Sequence, residues 1–264
     1  MKDWTKLAPK LRQDIVNMVY LAQSGHPGGS LSIIDILIVL YFGGILKYDS
    51  KNPQWEERDY FILSKGHASP ALYAVLAEAG YFSKEEFFSF RQIDSLLQGH
   101  PVNKIPGVEV STGSLGQGLS VACGIALGKK DKNVFVALGD GELQEGQVWE
   151  AAMTAAHYQL NNLIAIVDKN NLQIDGPTKK VMHVGDIAKK FEAFNWEVQK
   201  IDGHNFSAIE TAFKKALEKK SQKPQVIVAS TVKGKGISFM ENNHNWHGKA
   251  PSEEEMEQVK KELG

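Results

Sequence analysis

The sequence has one cysteine, no surplus of basic residues and no unbroken apolar run long enough to span a membrane, and each shortage closes off a class of protein. The lone thiol, Cys123, sits among Val121, Ala122, Gly124 and Ile125, so no internal disulfide can form and a reducing cytoplasm is expected. It reads as a packing residue. With Lys+Arg at 30 and Asp+Glu at 31, the net charge of -1 supplies no basic field to attract nucleic acid. The start, Met1-Lys2-Asp3-Trp4, lacks the charged-then-apolar pattern of a signal peptide. The longest apolar run, 31–46, is interrupted by Asp35 and by Gly43-Gly44, which suits a buried helix and not a membrane span. There is also no internal repeat, low-complexity tract or linker, so residues 1–264 are expected to form a single domain.

What is present is a series of apolar segments ending in glycine, histidine or aspartate. Residues 4–24 carry Leu7, Leu11, Ile15, Met18 and Val19 at helical spacing and stop before Gly25-His26-Pro27. Residues 32–46 predict a second, nearly all-apolar helix, and 59–64 a short buried strand running into Lys65-Gly66-His67. Helical character returns over 72–79, and Ser83 with Glu86 has the spacing of a capping box opening a helix with Phe87, Phe88 and Phe90. A small-residue helix is expected over 119–127 and amphipathic helices over 208–220 and 252–263. The β-branched runs 134–138, 163–167 and 225–230 show almost no polar alternation, as strands covered on both faces require, and 196–201 adds another. Helices between them imply an α/β fold with a mostly parallel central sheet.

The chemistry concentrates at strand ends. Gly139-Asp140-Gly141-Glu142 follows one predicted strand, and Asp168-Lys169-Asn170-Asn171 closes the next. Open α/β sheets bind ligands at the carboxyl ends of their strands, where helix N–H groups also point. Asp140 offers a hard anionic oxygen and Asn170 a neutral one, a set suited to Mg²⁺ shared with phosphate. Gly141 leaves room for a diphosphate to approach the backbone. His26, His67 and His100 each stand beside glycine or proline where an element ends, so three imidazoles from different elements can converge on one crevice. His244 and His247 have His-x-x-His spacing, but without a neighbouring cysteine zinc is disfavoured. Gly113 to Gly118 lacks the order and the preceding strand of a dinucleotide fingerprint.

Gly139-Asp140-Gly141 followed thirty positions later by Asn170 resembles the thiamine diphosphate motif, in which a main-chain carbonyl two residues beyond the asparagine, here Leu172, also serves the metal. Ser24-Gly25-His26-Pro27-Gly28, Ser64-Lys65-Gly66-His67-Ala68, Gly99-His100-Pro101, Thr112-Gly113-Ser114-Leu115-Gly116-Gln117-Gly118 and Ile174-Asp175-Gly176-Pro177-Thr178 look, in this order, like transketolase motifs. The resemblance covers essentially the whole chain. It implies a thiamine diphosphate-binding fold with helices on both faces of the sheet. Thiamine diphosphate would be held through Mg²⁺ on Asp140, Asn170 and Leu172, with Ca²⁺ or Mn²⁺ as candidate substitutes. His67, Gly113, Ser114, Leu115, Gly141, Glu142 and His247 are the implied cofactor contacts, and His26, His67, His100 and His247 the implied catalytic groups.

In that family the glutamate that activates the pyrimidine, and most substrate-phosphate arginines, lie beyond the segment matched here. The resemblance therefore implies the amino-terminal half of a transketolase of the pentose phosphate type, transferring a two-carbon ketol unit between sugar phosphates. A separate carboxy-terminal subunit, in an α2β2 assembly, would complete the site. The Met1 start and charged last helix favour a genuine subunit over a piece of a longer enzyme. Another thiamine diphosphate-dependent transferase or synthase, and a non-catalytic assembly subunit, are the alternatives.

Overall fold

Two helices begin the chain of the computed structural model, which describes residues 4–218 and 221–264. Helix α1 (Trp4–Ala22) buries Leu11, Ile15, Met18 and Val19 along one face. Helix α2 (Pro27–Phe42) is buried on nearly every side and begins five residues before the apolar run that announced it, with Pro27 in its first turn and His26 as its N-cap. Leu31, Ile33, Ile34, Leu37 and Ile38 have no exposed surface. At about 2 kcal/mol for each fully buried aliphatic side chain, these five fix the helix and the histidine at its tip.

Strand β1 (Tyr60–Leu63) is followed by α3 (Ser69–Glu78), α4 (Gln117–Gly128), β2 (Val134–Gly139), α5 (Gly146–His157) and β3 (Leu163–Lys169). A two-residue hairpin, β4 (Leu172–Gln173) and β5 (Gly176–Pro177), and the short helices α6 (Thr178–Val181) and α7 (Ile187–Ala193) come next. Strand β6 (Glu197–Asp202), α8 (Phe206–Leu217), β7 (Gln225–Ser230) and α9 (Glu253–Leu263) complete the fold. The five long strands form one sheet in the order β1-β2-β3-β7-β6, parallel throughout. Alternate side chains enter two cores. Phe61, Phe135, Ile164 and Ile227 pack with α1, α2, α3, α8 and α9, whereas Ile62, Val136, Ala165 and Val228 pack with α4, α5 and α7. The sheet is covered on both faces, which explains the unbroken apolar strand sequences.

Two expectations change. The Ser83 segment forms a 3₁₀ turn, Lys84–Ser89, with Ser83 capping Glu85 N–H; its Ser-x-x-Glu spacing does not open an α-helix. The reciprocal capping box occurs at Ser252 and Glu255, at the start of α9. The expected helix over 208–220 is α8, and positions 219 and 220 lie outside the described residues.

Candidate functional site

Parallel pairing sets the site. Gly139 at the end of β2 is in register with Asp168 on β3, so the turns carrying Asp140 and Asn170 leave the sheet side by side. Asp140 is 4% exposed and faces a cavity of about 400 Å³. Its Oδ1 accepts from Gly141 N at 3.0 Å and its Oδ2 from Asn171 N at 2.7 Å. Burial, helped by the neighbouring Asp168 carboxylate, nevertheless pushes its pKa up to about 6. Two N–H groups and the Lys233 charge offset that burial only in part; a bound cation would add to them. Asn170 borders the same cavity, its Nδ2 donating to Ser32 Oγ at 3.3 Å and its Oδ1 accepting from Leu172 N at 3.0 Å. Among the described residues no group of three or more His, Cys, Asp or Glu is placed to hold a metal. Any cation here would use one carboxylate, one amide and a main-chain carbonyl, which are oxygen donors of the type Mg²⁺ takes.

The floor of the cavity holds two lysines that composition alone would place on the surface. Lys65 is 1% exposed, paired to Asp168 and donating to Gly29 O at 2.8 Å. Asp168, fully buried, also accepts from Ser32 Oγ and Thr231 Oγ1, and so ties α2, the β1–α3 turn and the end of β7 together. Lys233, also 1% exposed, reaches Leu172 O at 3.4 Å and His247 Nδ1 at 2.8 Å. Burial, then repulsion from Lys65, lowers its pKa to about 8, so it is still largely cationic at neutral pH. A buried ammonium next to an oxygen donor set is suited to a phosphate-bearing ligand.

Four histidines continue from Lys233 across the cavity. His247 lies 5.1 Å from His67 and 5.3 Å from His26, between ring centroids, and His26 lies 5.4 Å from His67 and 6.3 Å from His100. His100 in turn stands against Gly113, whose Cβ position would be 3.2 Å from its Cδ2. Burial lowers all four pKa values, to about 4 for His26 and about 3 for His247, with Arg91 adding to the effect at His26 and His100. The rings are therefore neutral at pH 7, each with one donor and one acceptor nitrogen. His26 Nδ1 is buried without a hydrogen-bond partner among the described residues.

Asp140, Gly141, Glu142, Asn170, Leu172, His26, His67, His100, His247, Gly113 and Leu115 all border this one cavity. Ser114 does not; it is exposed. Glu142 borders it with both oxygens already engaged by protein donors. His244 lies outside the cavity, in the 3₁₀ turn His244–Trp246 that carries His247 to it. His204 bonds Asp35 through Nδ1 at 2.7 Å and accepts Val232 N–H at Nε2, holding a loop behind the site. Sequence reasoning missed Lys65 and Lys233 as site residues. Their only signal was position, each preceding a glycine in a turn after a strand. A larger groove of about 510 Å³, between α1 and α9, carries Lys84 already paired with Asp14.

Residues 5–264 match the family model described as transketolase, thiamine diphosphate binding domain. The chain is 40% identical over 258 residues to an apulose-4-phosphate transketolase subunit of Phocaeicola vulgatus, covering 96% of this chain and 91% of that protein. It is 44% identical over 236 residues to the 6-deoxy-6-sulfo-D-fructose transketolase subunit SqwG of Clostridium sp., covering 87% and 85%. The solved structure of transketolase from Leishmania mexicana superposes with a TM-score of 0.95 at 33% identity, over 100% of this chain but 42% of that one.

Proposed function

Because the chain belongs to the transketolase family, as its thiamine diphosphate-binding domain, we propose that it is the amino-terminal subunit of a split transketolase. In this reading it transfers a two-carbon ketol unit from a ketose phosphate to an aldose phosphate, together with a separate carboxy-terminal subunit. Two relatives that this chain covers over 91% and 85% of their length carry subunit names, while the chain spans 42% of the Leishmania enzyme. The reading extends to an α2β2 assembly in the cytoplasm acting on sugars of the pentose phosphate type.

The carrying observation is the buried Asp140 carboxylate on the same cavity as Asn170 and Leu172, with Lys233 and His247 adjoining. Asp140, Asn170 and the Leu172 carbonyl would hold Mg²⁺, and Lys233 and His247 would face the diphosphate. Bound there, thiamine diphosphate supplies the electron sink for breaking the bond beside a ketose carbonyl. His26, neutral and with Nδ1 unpaired among the described residues, is able to take or give a proton at a substrate hydroxyl, and His100 stands next to it for the same work. His67, half-buried, shapes the wall between them.

The test is calorimetry with thiamine diphosphate and Mg²⁺, with and without the carboxy-terminal subunit, followed by a ketol-transfer assay. Saturable binding and activity only in the complex are expected. Ketol transfer by the purified chain alone would overturn the split-site reading.

A further inference from the structure

Two positions after Asp140, Glu142 is 2% exposed and its carboxylate is engaged by protein donors at the edge of the same cavity. Its Oε1 accepts from Ser64 Oγ at 2.5 Å and from Gly116 N at 2.8 Å, and its Oε2 accepts from Gly139 N at 3.0 Å. One carboxylate thus joins the turn after β1, the end of β2 and the loop 112–118. Among the described residues no cationic side chain is hydrogen-bonded to it, and its three hydrogen bonds offset only part of the burial that raises its pKa.

The loop is held elsewhere by hydrogen bonds at its start and middle, the first from Thr112 N to Pro101 O at 3.1 Å. Thr112 Oγ1 donates to Leu63 O at 2.7 Å, and Gln147 Nε2 donates to Leu115 O at 2.8 Å. At its far end Gly118 lies so close to Ser64 that a Cβ there would meet Ser64 Oγ at 2.4 Å. Ser64 is therefore both a packing partner of the loop and a donor to its anchor.

The cavity has two ends. Asp140, Asn170, Leu172, Lys233 and His247 form the end suited to a metal and an anion, and the row of histidines leads away from it to His100 and Gly113. A cofactor with a diphosphate tail and an aromatic head must place its head toward Gly113 and Leu115. We infer that Glu142 is a positioning residue that fixes this ring-side wall, Gly113 to Leu115, without contributing to the grip on the diphosphate. The inference rests on the cofactor reading above and adds to it a residue that acts through a loop.

Glu142→Gln tests it. The amide keeps one acceptor but turns an NH₂ toward either Gly139 N–H or Gly116 N–H, donor against donor. Gly139 is fixed in β2, so the loop gives way. Ser64→Ala is the milder companion, removing one donor and no charge. Calorimetry with thiamine diphosphate plus Mg²⁺, and separately with inorganic pyrophosphate plus Mg²⁺, is expected to show a roughly tenfold to hundredfold loss for the former in Glu142→Gln. Ser64→Ala should show a smaller loss, and pyrophosphate should bind both variants within about twofold of the wild type. Amide hydrogen exchange without ligand should rise over residues 112–118 and stay unchanged in α9. Equal losses for the two ligands, or unchanged exchange over 112–118, would overturn the assignment. A wild-type chain that binds pyrophosphate but not thiamine diphosphate would count against the cofactor reading, and the exchange measurement would still decide whether Glu142 anchors the loop.

Discussion

The Lys233 ammonium donates a 2.8 Å hydrogen bond to Nδ1 of His247, joining the two groups that face the anion end of the cavity. Lys233 is the second cause, after burial, of the depressed His247 pKa of about 3. Replacing Lys233 by Met should raise that pKa toward its ordinary 6.5, read from the pH dependence of the His247 ring signals by NMR. The same variant should weaken thiamine diphosphate binding about tenfold to hundredfold, since a charge-assisted bond contributes about 1.5–3 kcal/mol. An unmoved His247 titration would show that the contact does not persist in solution.

Removing the oxygen donors separates metal from cofactor. Wild-type chain saturated at about 100 times its Kd with thiamine diphosphate and Mg²⁺ should gain about 2.7 kcal/mol of stability, and EDTA should reverse it. Asp140→Ala should show no such gain at the same concentrations in a thermal melt. A full gain in the variant would mean that the cation binds elsewhere.

His26→Ala and His100→Ala should leave cofactor affinity almost unchanged while lowering turnover of the reconstituted complex by about 10²–10⁴-fold, the usual contribution of general acid–base groups. Steady-state kinetics with calorimetry on the same preparations distinguishes this from a binding defect. Wild-type turnover in either variant removes that residue from the mechanism.

The low histidine pKa values fix the sign of an acid response. For His26 and His247 the unfolded chain binds more protons than the folded one between pH 6.5 and their folded values of about 4 and about 3. The stability they contribute is complete above pH 6.5 and is lost as pH falls. Asp140, raised from 3.8 to about 6, works in the opposite direction and adds stability as pH drops below 6. His67 and His100, their pKa values also lowered, act with His26 and His247 against Asp140, so the cofactor-free chain should lose thermal stability from pH 6.5 to 4.5. A His26→Asn/His247→Asn double variant should flatten that limb; an equally steep limb would locate the acid sensitivity elsewhere.

Behind the site, Asp35 on α2 accepts from Arg12 Nη2 at 2.7 Å and pairs with His204 at the same distance. Burial raises its pKa, but His204 and Arg12 outweigh it and hold the carboxyl below its usual range. Arg12→Leu leaves that buried charge half-paired and should cost about 3–5 kcal/mol in denaturant unfolding. Thiamine diphosphate affinity measured well below the transition should stay near wild type.

The sheet was legible because β2, β3 and β7 are buried on both faces and therefore carry almost no polar residues until the chain reaches the ligand. That abrupt change is why Asp140 and Asn170 stood out. The start of α2 was not legible, since Gly28 and Gly29 weaken helix propensity; close packing of Gly28 against Trp246 and Lys233 requires the first of them there. Ser83 and Ser252 share one spacing, and the sequence contains nothing local to say that only the second opens an α-helix. Lys65 and Lys233 were hidden by a sound prior, because lysine is buried only when a partner such as Asp168 or a ligand compensates it.

An alanine Cβ at position 28 would lie 2.7 Å from the Trp246 carbonyl, so the loop bearing His247 rests directly on the first turn of α2, next to His26. Two histidines more than two hundred positions apart in the chain therefore share a single mechanical seat. A lone methyl group inserted there would act as a wedge, prying the far wall of the cavity from the near one while the sheet beneath stayed intact.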